Sequence, residues 1–251
     1  MMVTLFNALS STNDFAEEST YRLTGDIELD GMPGISLTTM LAPSEMPVPP
    51  SMVLAGWWGD KFNKLYGNAV NTPRLKRVNA TVDLLPQRRI SALESAWLAK
   101  TDVEPGTEIP VKVYLRPYRG ERIERDIKVQ IPAGLPKGEH RILLSDADTL
   151  NRAQSYAATA NRFMDIPQTV SLINQERSNN RLYVSLVQGR PTFYEDDKTL
   201  PSLPASVLNV MQASRSSNRP FVSSGESTRE QFSVPFDTVV SGSVSLKISV
   251  K

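Results

Sequence analysis

Between residues 78 and 132 apolar and polar side chains alternate across two turns, a pattern that fits antiparallel β-structure and little else. Ile109, Val111, Val113 and Leu115 recur two apart, the spacing that puts alternate side chains on one buried face of a strand. Glu108, Pro110, Lys112 and Tyr114 then face outward. Glu104, Pro105, Gly106 and Thr107 have turn chemistry before this strand and Arg119, Gly120 and Glu121 have it after, where Ile127, Val129 and Ile131 resume the alternation. The pattern predicts an immunoglobulin-like antiparallel β-sandwich within a mixed, mainly β chain that also carries packed helices. Such modules bind, brace or space their partners more often than they catalyse.

A chain of 251 residues with 40% hydrophobic content is large enough to bury a conventional core. It has no cysteine, which removes disulfides, thiol nucleophiles and thiolate-bound metal. A net charge of +1 provides no global field for nucleic acid or an anionic membrane. Cations and acids are interleaved instead, as from Arg119 through Glu121, Arg122, Glu124, Arg125 and Asp126, the signature of a solvated strand or hairpin edge. The first residues lack the charged and apolar blocks of a signal peptide and are too short for a membrane span. The doubled Met1 and Met2 has the form of a start codon added before a native residue, and leads to the expectation of a piece of a longer protein.

Three segments are expected: residues 1–75 as a hairpin plus helix, 76–145 as the sandwich core, and 146–251 as helices and C-terminal strands on the same body. In the first, alternating runs flank Asp30, Gly31, Met32, Pro33 and Gly34, a hairpin signal. Val53, Leu54, Trp57, Trp58, Phe62, Leu65 and Tyr66 then recur at helical spacing up to Gly67. In the third, Leu150, Ala153, Ala157, Ala160 and Phe163 form the inner stripe of a helix over 146–163, and a second helix is expected over 166–177 with Pro167 in its first turn. Residues 181–187 read as a strand, 189–204 as an exposed loop, 204–213 as a short helix, and 231–250 as two strands around Ser241 and Gly242.

Candidate chemistry is sparse. His140 is the only histidine, so any Ser-His-Asp triad must use it; its neighbours Glu139 and Arg141 predict an exposed residue at the start of a strand. No Gly-x-Ser-x-Gly elbow and no phosphate-cradling glycine motif occurs. Asp26, Glu28, Asp30 and Gly31 imitate the opening of a calcium loop, but its twelfth position is Leu37 instead of a bidentate Glu, so the hairpin is the better reading. Ser145, Asp146 and Asp148, like Glu195, Asp196 and Asp197, offer oxygens that more commonly cap a helix or solvate a loop. Trp57 and Trp58, or Phe193 and Tyr194 in a loop, would suit a sugar platform, although the helical spacing of the tryptophans favours a core-facing stripe. No residue is assigned a catalytic, cofactor-binding or metal-binding role.

The run from Pro105 to Gly120, with Val129, Gln130, Ile131 and Pro132, then Leu135, Pro136, Lys137 and Gly138, and the Ser145 to Asp148 step, resembles the region downstream of the peptidase domain in bacterial proteins of the SpoIVB serine peptidase family. Leu200 to Pro204 and Val239 to Gly242 fit the same resemblance. It extends over most of the chain on short motifs and carries over no catalytic residue. It implies an accessory or interaction region of an envelope or secreted parent, periplasmic or extracellular, contacting its own peptidase domain or another envelope protein. The alternatives are a carbohydrate-binding or adhesion module, and a hydrolase with an unrecognised site.

Overall fold

A computed structural model describes residues 2–12, 18–43, 48–68, 71–159, 165–189 and 226–251, with shorter stretches at 192–195, 198–201, 203–204, 206–207, 209–210 and 222–224. The chain is mainly β with four helices among the described residues, and it divides into two compact units. Residues 1–90, 162–180 and 237–239 form the first, and 91–161, 181–236 and 240–251 the second.

The first unit holds one antiparallel sheet, β1 (Thr20–Leu29), β2 (Ile35–Leu41) and β3 (Leu75–Leu85), in the order β2-β1-β3. The hairpin turn expected at Asp30 and Gly31 is present, with Gly31 at φ 68°, a conformation that costs glycine nothing. Strand β3, read from the sequence as opening the sandwich, pairs instead with β1. Periodicity fixes which face of a strand is apolar and leaves its partner open. Helices α1 (Met2–Thr12), unexpected from the sequence, and α2 (Pro50–Tyr66) precede α4 (Ile166–Asn174). Pro50 starts α2, where a missing N–H costs nothing, and the Gly67 N–H closes it on the Asn63 carbonyl. Leu54, Trp58 and Leu65 of α2 share a core with Leu23 and Ile27 of β1, Ile35 of β2 and Ile166, Val170 and Ile173 of α4.

Helix α4 begins with a reciprocal cap. Asp165 accepts from the Gln168 N–H at 2.8 Å while the Gln168 side chain accepts from the Asp165 N–H at 2.9 Å, with Pro167 in the first turn. Just beyond α4 the chain also closes the outer edge of β2. The Asn179 carboxamide accepts from the Met40 N–H at 2.9 Å and donates to its carbonyl at 2.6 Å. Asn174 likewise accepts from the Ser36 N–H and donates to the Gly34 carbonyl. The two side chains thus make bonds that a neighbouring strand would otherwise make.

In the second unit, β4 (Ile90–Leu98), β6 (Glu108–Pro117), β7 (Ile123–Gln130) and β14 (Val239–Ser241) form a sheet in the order β14-β4-β6-β7. Another contains β5 (Asp102–Val103), β8 (Gly138–Ser145), β9 (Arg181–Gln188), β13 (Ser227–Pro235) and β15 (Ser243–Val250), ordered β13-β9-β8-β15-β5, with only the β15–β5 pairing parallel. Val111, Val113, Leu115, Ile127, Val129 and Ile131 are all buried, and Ile109 partly so, as their alternation requires. They share one core with Ile142 and Leu144 of β8, Leu182, Val184 and Leu186 of β9 and Ile248 of β15.

Helix α3 (Ala147–Thr159) buries Ala147 and Leu150 against Tyr183 and Leu143. Its stripe runs through Ala147, Leu150, Asn151 and Gln154, the i, i+3, i+4, i+7 series, so Ala153, expected to point inward, is exposed. Residues 189–204, expected as a loop, contribute β10 (Thr192–Glu195) and β11 (Lys198–Pro201), which form a small sheet with β12 (Val222–Ser224) in the order β11-β10-β12. Of the helix expected over 204–213, the described residues 206–207 and 209–210 are helical, and 205, 208 and 211–213 lie outside the described residues.

Candidate interaction surface

His140 is buried, 7% exposed, and not the surface residue expected. It has the same strand parity as Ile142 and Leu144 and lies opposite Ile248, so it belongs to the inward face of its sheet. Its Nε2 is 2.7 Å from the Pro136 carbonyl, and Nδ1 has no hydrogen-bond partner among the described residues. Ser145 on β8, Ser185 on β9 and Ser243, Ser245 and Ser249 on β15 all have the opposite parity and sit on the other face of that sheet.

The acidic candidates act locally. Asp146 caps α3, accepting from the Thr149 N–H at 2.8 Å and from the Gly242 N–H at 2.7 Å. Asp148 pairs with Arg152 one turn on. Glu28 pairs with Arg77 across β1 and β3. Asp196 and Asp197 and the side chain of Glu195 lie outside the described residues. No cluster of metal-ligating residues occurs among those described, and no helix among them is long and apolar enough to cross a membrane.

Trp57 and Trp58 lie on α2 with ring centroids 6.4 Å apart. Trp58 is 1% exposed and meets Phe62 edge-on at 5.6 Å, so it is a core residue, as its spacing predicted. Phe193 on β10 is buried as well, and the Tyr194 side chain is outside the described residues.

The same helix carries a buried cation. Lys61 is 2% exposed, with its Nζ 4.5 Å from the centre of the Trp57 ring and ion-paired to Glu176 just past α4. Glu176 also receives Lys64 at 3.1 Å, and Lys64 reaches Asp60 at 3.0 Å. Desolvation pulls the Lys61 ammonium below the usual lysine value despite Glu176. For Lys64 burial pulls the same way, but Glu176 and Asp60 together prevail and raise it. The cluster ties two helices together.

The surface best suited to a partner is the outer face of the β4-β6-β7 sheet. The register of β4 against β6 shifts between Leu93 and Ser95, a bulge at Glu94. Before it, odd-numbered Ser91 and Leu93 are buried; after it, Leu98 is buried and Ala96 packs on the core, so odd-numbered Trp97 turns outward and stands 56% exposed. Sequence reasoning missed this residue, because uninterrupted alternation would have buried it with Leu93.

Trp97 sits opposite Lys112, and Ser95 opposite Tyr114. Arg122 lies over the Tyr114 ring at 4.0 Å, donates to the Ser95 hydroxyl at 3.0 Å and pairs with Glu94 at 3.3 Å. Arg116 also binds Glu94, and Lys112 pairs with Glu124. The hydrogen bond from Arg116 holds the Glu94 carboxyl below its ordinary range, and the one Lys112 donates to Glu124 holds that ammonium above its own. Both signs alternate over the face, an arrangement unlike a phosphate-tracking groove. An open indole is thereby framed by groups whose rotamers are already restrained.

No protein-family model matches this chain, and no curated protein or solved structure matches it.

Proposed function

We propose that this chain is a non-catalytic interaction region of a larger bacterial envelope or secreted protein, with an immunoglobulin-like sandwich in its second unit and a contact surface centred on Trp97. The exposed indole carries the reading. Trp is among the residues most often found to dominate binding energy, and here it stands on a rigid sheet with restrained polar neighbours. The placement of the β8, β9 and β15 serines on the face opposite His140 speaks against a triad built from them. The resemblance to the SpoIVB peptidase family suggests the partner: the parent's own peptidase domain, or a protein bound beside it.

Installing a photo-crosslinking residue at position 97 in the parent protein, in its native envelope, tests the assignment. Adducts are expected with the peptidase domain or a neighbouring envelope protein, and Trp97→Ala is expected to weaken that contact by about tenfold or more. Crosslinks to no protein would overturn it. A fluorophosphonate probe that labels one serine stoichiometrically would overturn the non-catalytic part.

Trp97 also supports a second reading, carbohydrate binding, now moved from Trp58 and Phe193 to an exposed indole beside Tyr114. Polysaccharide that alters tryptophan emission in the wild type and not in Trp97→Ala favours it over the first.

A further inference from the structure

We propose that the open edge of β3 is a homodimer interface, at which β3 pairs antiparallel with β3 of a second copy about a two-fold axis through Ala80. This does not rest on the function proposed above.

Strand β3 ends its sheet, and among the described residues it has no neighbour on its outer side. All its residues except Val78, Val82 and Leu85 are exposed, and it contains no proline. Proline and bulges are common protections for such edges, and here the only register shift lies at the strand's beginning, beside Glu28 and Leu29.

The hydrogen-bonding parity of β3 follows from the opposite edge. Met40 directs its N–H and carbonyl to Asn179, away from β1, so Arg22, its partner in register, turns its own backbone groups toward Asp83 on β3. Odd-numbered residues from Arg77 to Asp83 therefore bond β1, and Val78, Ala80, Val82 and Leu84 present their backbone groups outward. A two-fold axis at Ala80 sets even against even, the arrangement that the outward groups need. Val78, Ala80 and Val82 alone would then make about six hydrogen bonds with the second copy.

The side chains select the same register. With Ala80 on the axis, Val78 faces Val82 of the second copy and Asn79 faces Thr81. Arg77 faces Asp83, and because the contact is symmetric this happens twice. The charges also extend into each sheet, since Asp83 is opposite Arg22 and Arg77 is opposite Glu28. Across the joined sheets the row reads Arg22, Asp83, then Arg77 and Glu28 of the second copy, alternating in sign throughout. A slip of two residues in either direction sets Arg77 against Thr81 or Leu85 and loses both ion pairs.

Sedimentation of the full chain over a range of concentrations tests the proposal, with two substitutions that report on the edge. The wild type is expected to approach twice its 27.8 kDa mass as concentration rises. Ala80→Pro removes an outward N–H without touching the β1 ladder, and is expected to be monomeric with an unchanged circular dichroism spectrum. The register is read independently by mixing an Asn79→Cys chain with a Thr81→Cys chain, since the native sequence has no cysteine to interfere. Opposed residues at a non-hydrogen-bonded pair stand about 4.5 Å apart at Cα, within disulfide reach. The mixture is expected to crosslink under mild oxidation and each chain alone to remain unlinked. A wild type monomeric at every concentration, a folded Ala80→Pro chain that still dimerises, or a mixture that fails to crosslink would each overturn the proposal.

Discussion

The indole of Trp58 occupies the space that a side chain at Gly25 would need. A Cβ built on Gly25 would lie 2.3 Å from Cη2 and 2.5 Å from Cζ3 of that ring, far inside contact distance. The glycine in the middle of β1 is thus a packing requirement, which offsets its poor strand propensity. Gly25→Ala is expected to destabilise the chain by about 1–3 kcal/mol. Combining it with Trp58→Phe should cost less than the sum of the two single changes, as urea denaturation of all three variants would reveal; strict additivity would contradict the contact.

Val113 sits at the centre of the alternating run and is fully buried. Truncation to Ala should cost about 1–3 kcal/mol, measured as a fall in the denaturation midpoint at constant slope. The same change at the exposed residue Lys128 should fall within about 0.5 kcal/mol of zero.

The Lys61 cluster predicts a pH dependence. Burial holds Lys61 below its free value of 10.5, so between its folded value and 10.5 the unfolded chain takes up a proton that the folded chain does not. Its contribution to stability therefore rises with pH through that window and is at its lowest, and constant, below it. Lys64, raised above 10.5, stabilises below that value and loses its contribution as pH rises through its folded value. The stability of the wild type relative to Lys61→Met should accordingly increase as pH rises toward 10.5; a difference that shrinks would contradict the assignment. Glu176→Gln, which leaves the buried ammonium only the more distant Asp60 carboxylate at 3.9 Å, should cost about 3 kcal/mol at neutral pH.

Asp146 serves two backbone donors, one in α3 and one at Gly242. Asp146→Ala should cost about 2 kcal/mol, combining a lost helix cap with an unsatisfied N–H. Hydrogen exchange should speed up at Thr149 and Gly242 together, whereas a pure capping role would move Thr149 alone.

Much of the β-structure was legible because period-two alternation is a local signal. The core positions from Ile109 to Ile131 and the strands flanking the turn at Gly31 followed from it; Pro167 separately marked the first turn of α4, whose cap by Asp165 and Gln168 went unread. What depended on partners was hidden. The pairing of β3 with β1, and the return of α4 to the first unit, are set by contacts distant in sequence. Trp97 escaped because one extra residue, Glu94, inverted the parity of its strand, and nothing in the residue pattern marks a bulge. His140 could have been placed: it shares parity with Ile142 and Leu144, but its charged neighbours outweighed that signal.

The asparagines on the outer edge of β2 bear on stoichiometry. A sheet open at both edges has no natural stopping point, because every added copy exposes a fresh template at its far side. Here Asn174 and Asn179 from the same chain already bond Gly34, Ser36 and Met40 on one side, so a self-pairing event at the other side leaves this sheet only the short stretch at Thr38 to offer a third copy. Growth would end at two. By the same logic Asn179→Ala would reopen the far edge at Met40, and the variant should show up as heterogeneous oligomer size and light scattering in concentrated solution, even where its thermal stability changes little.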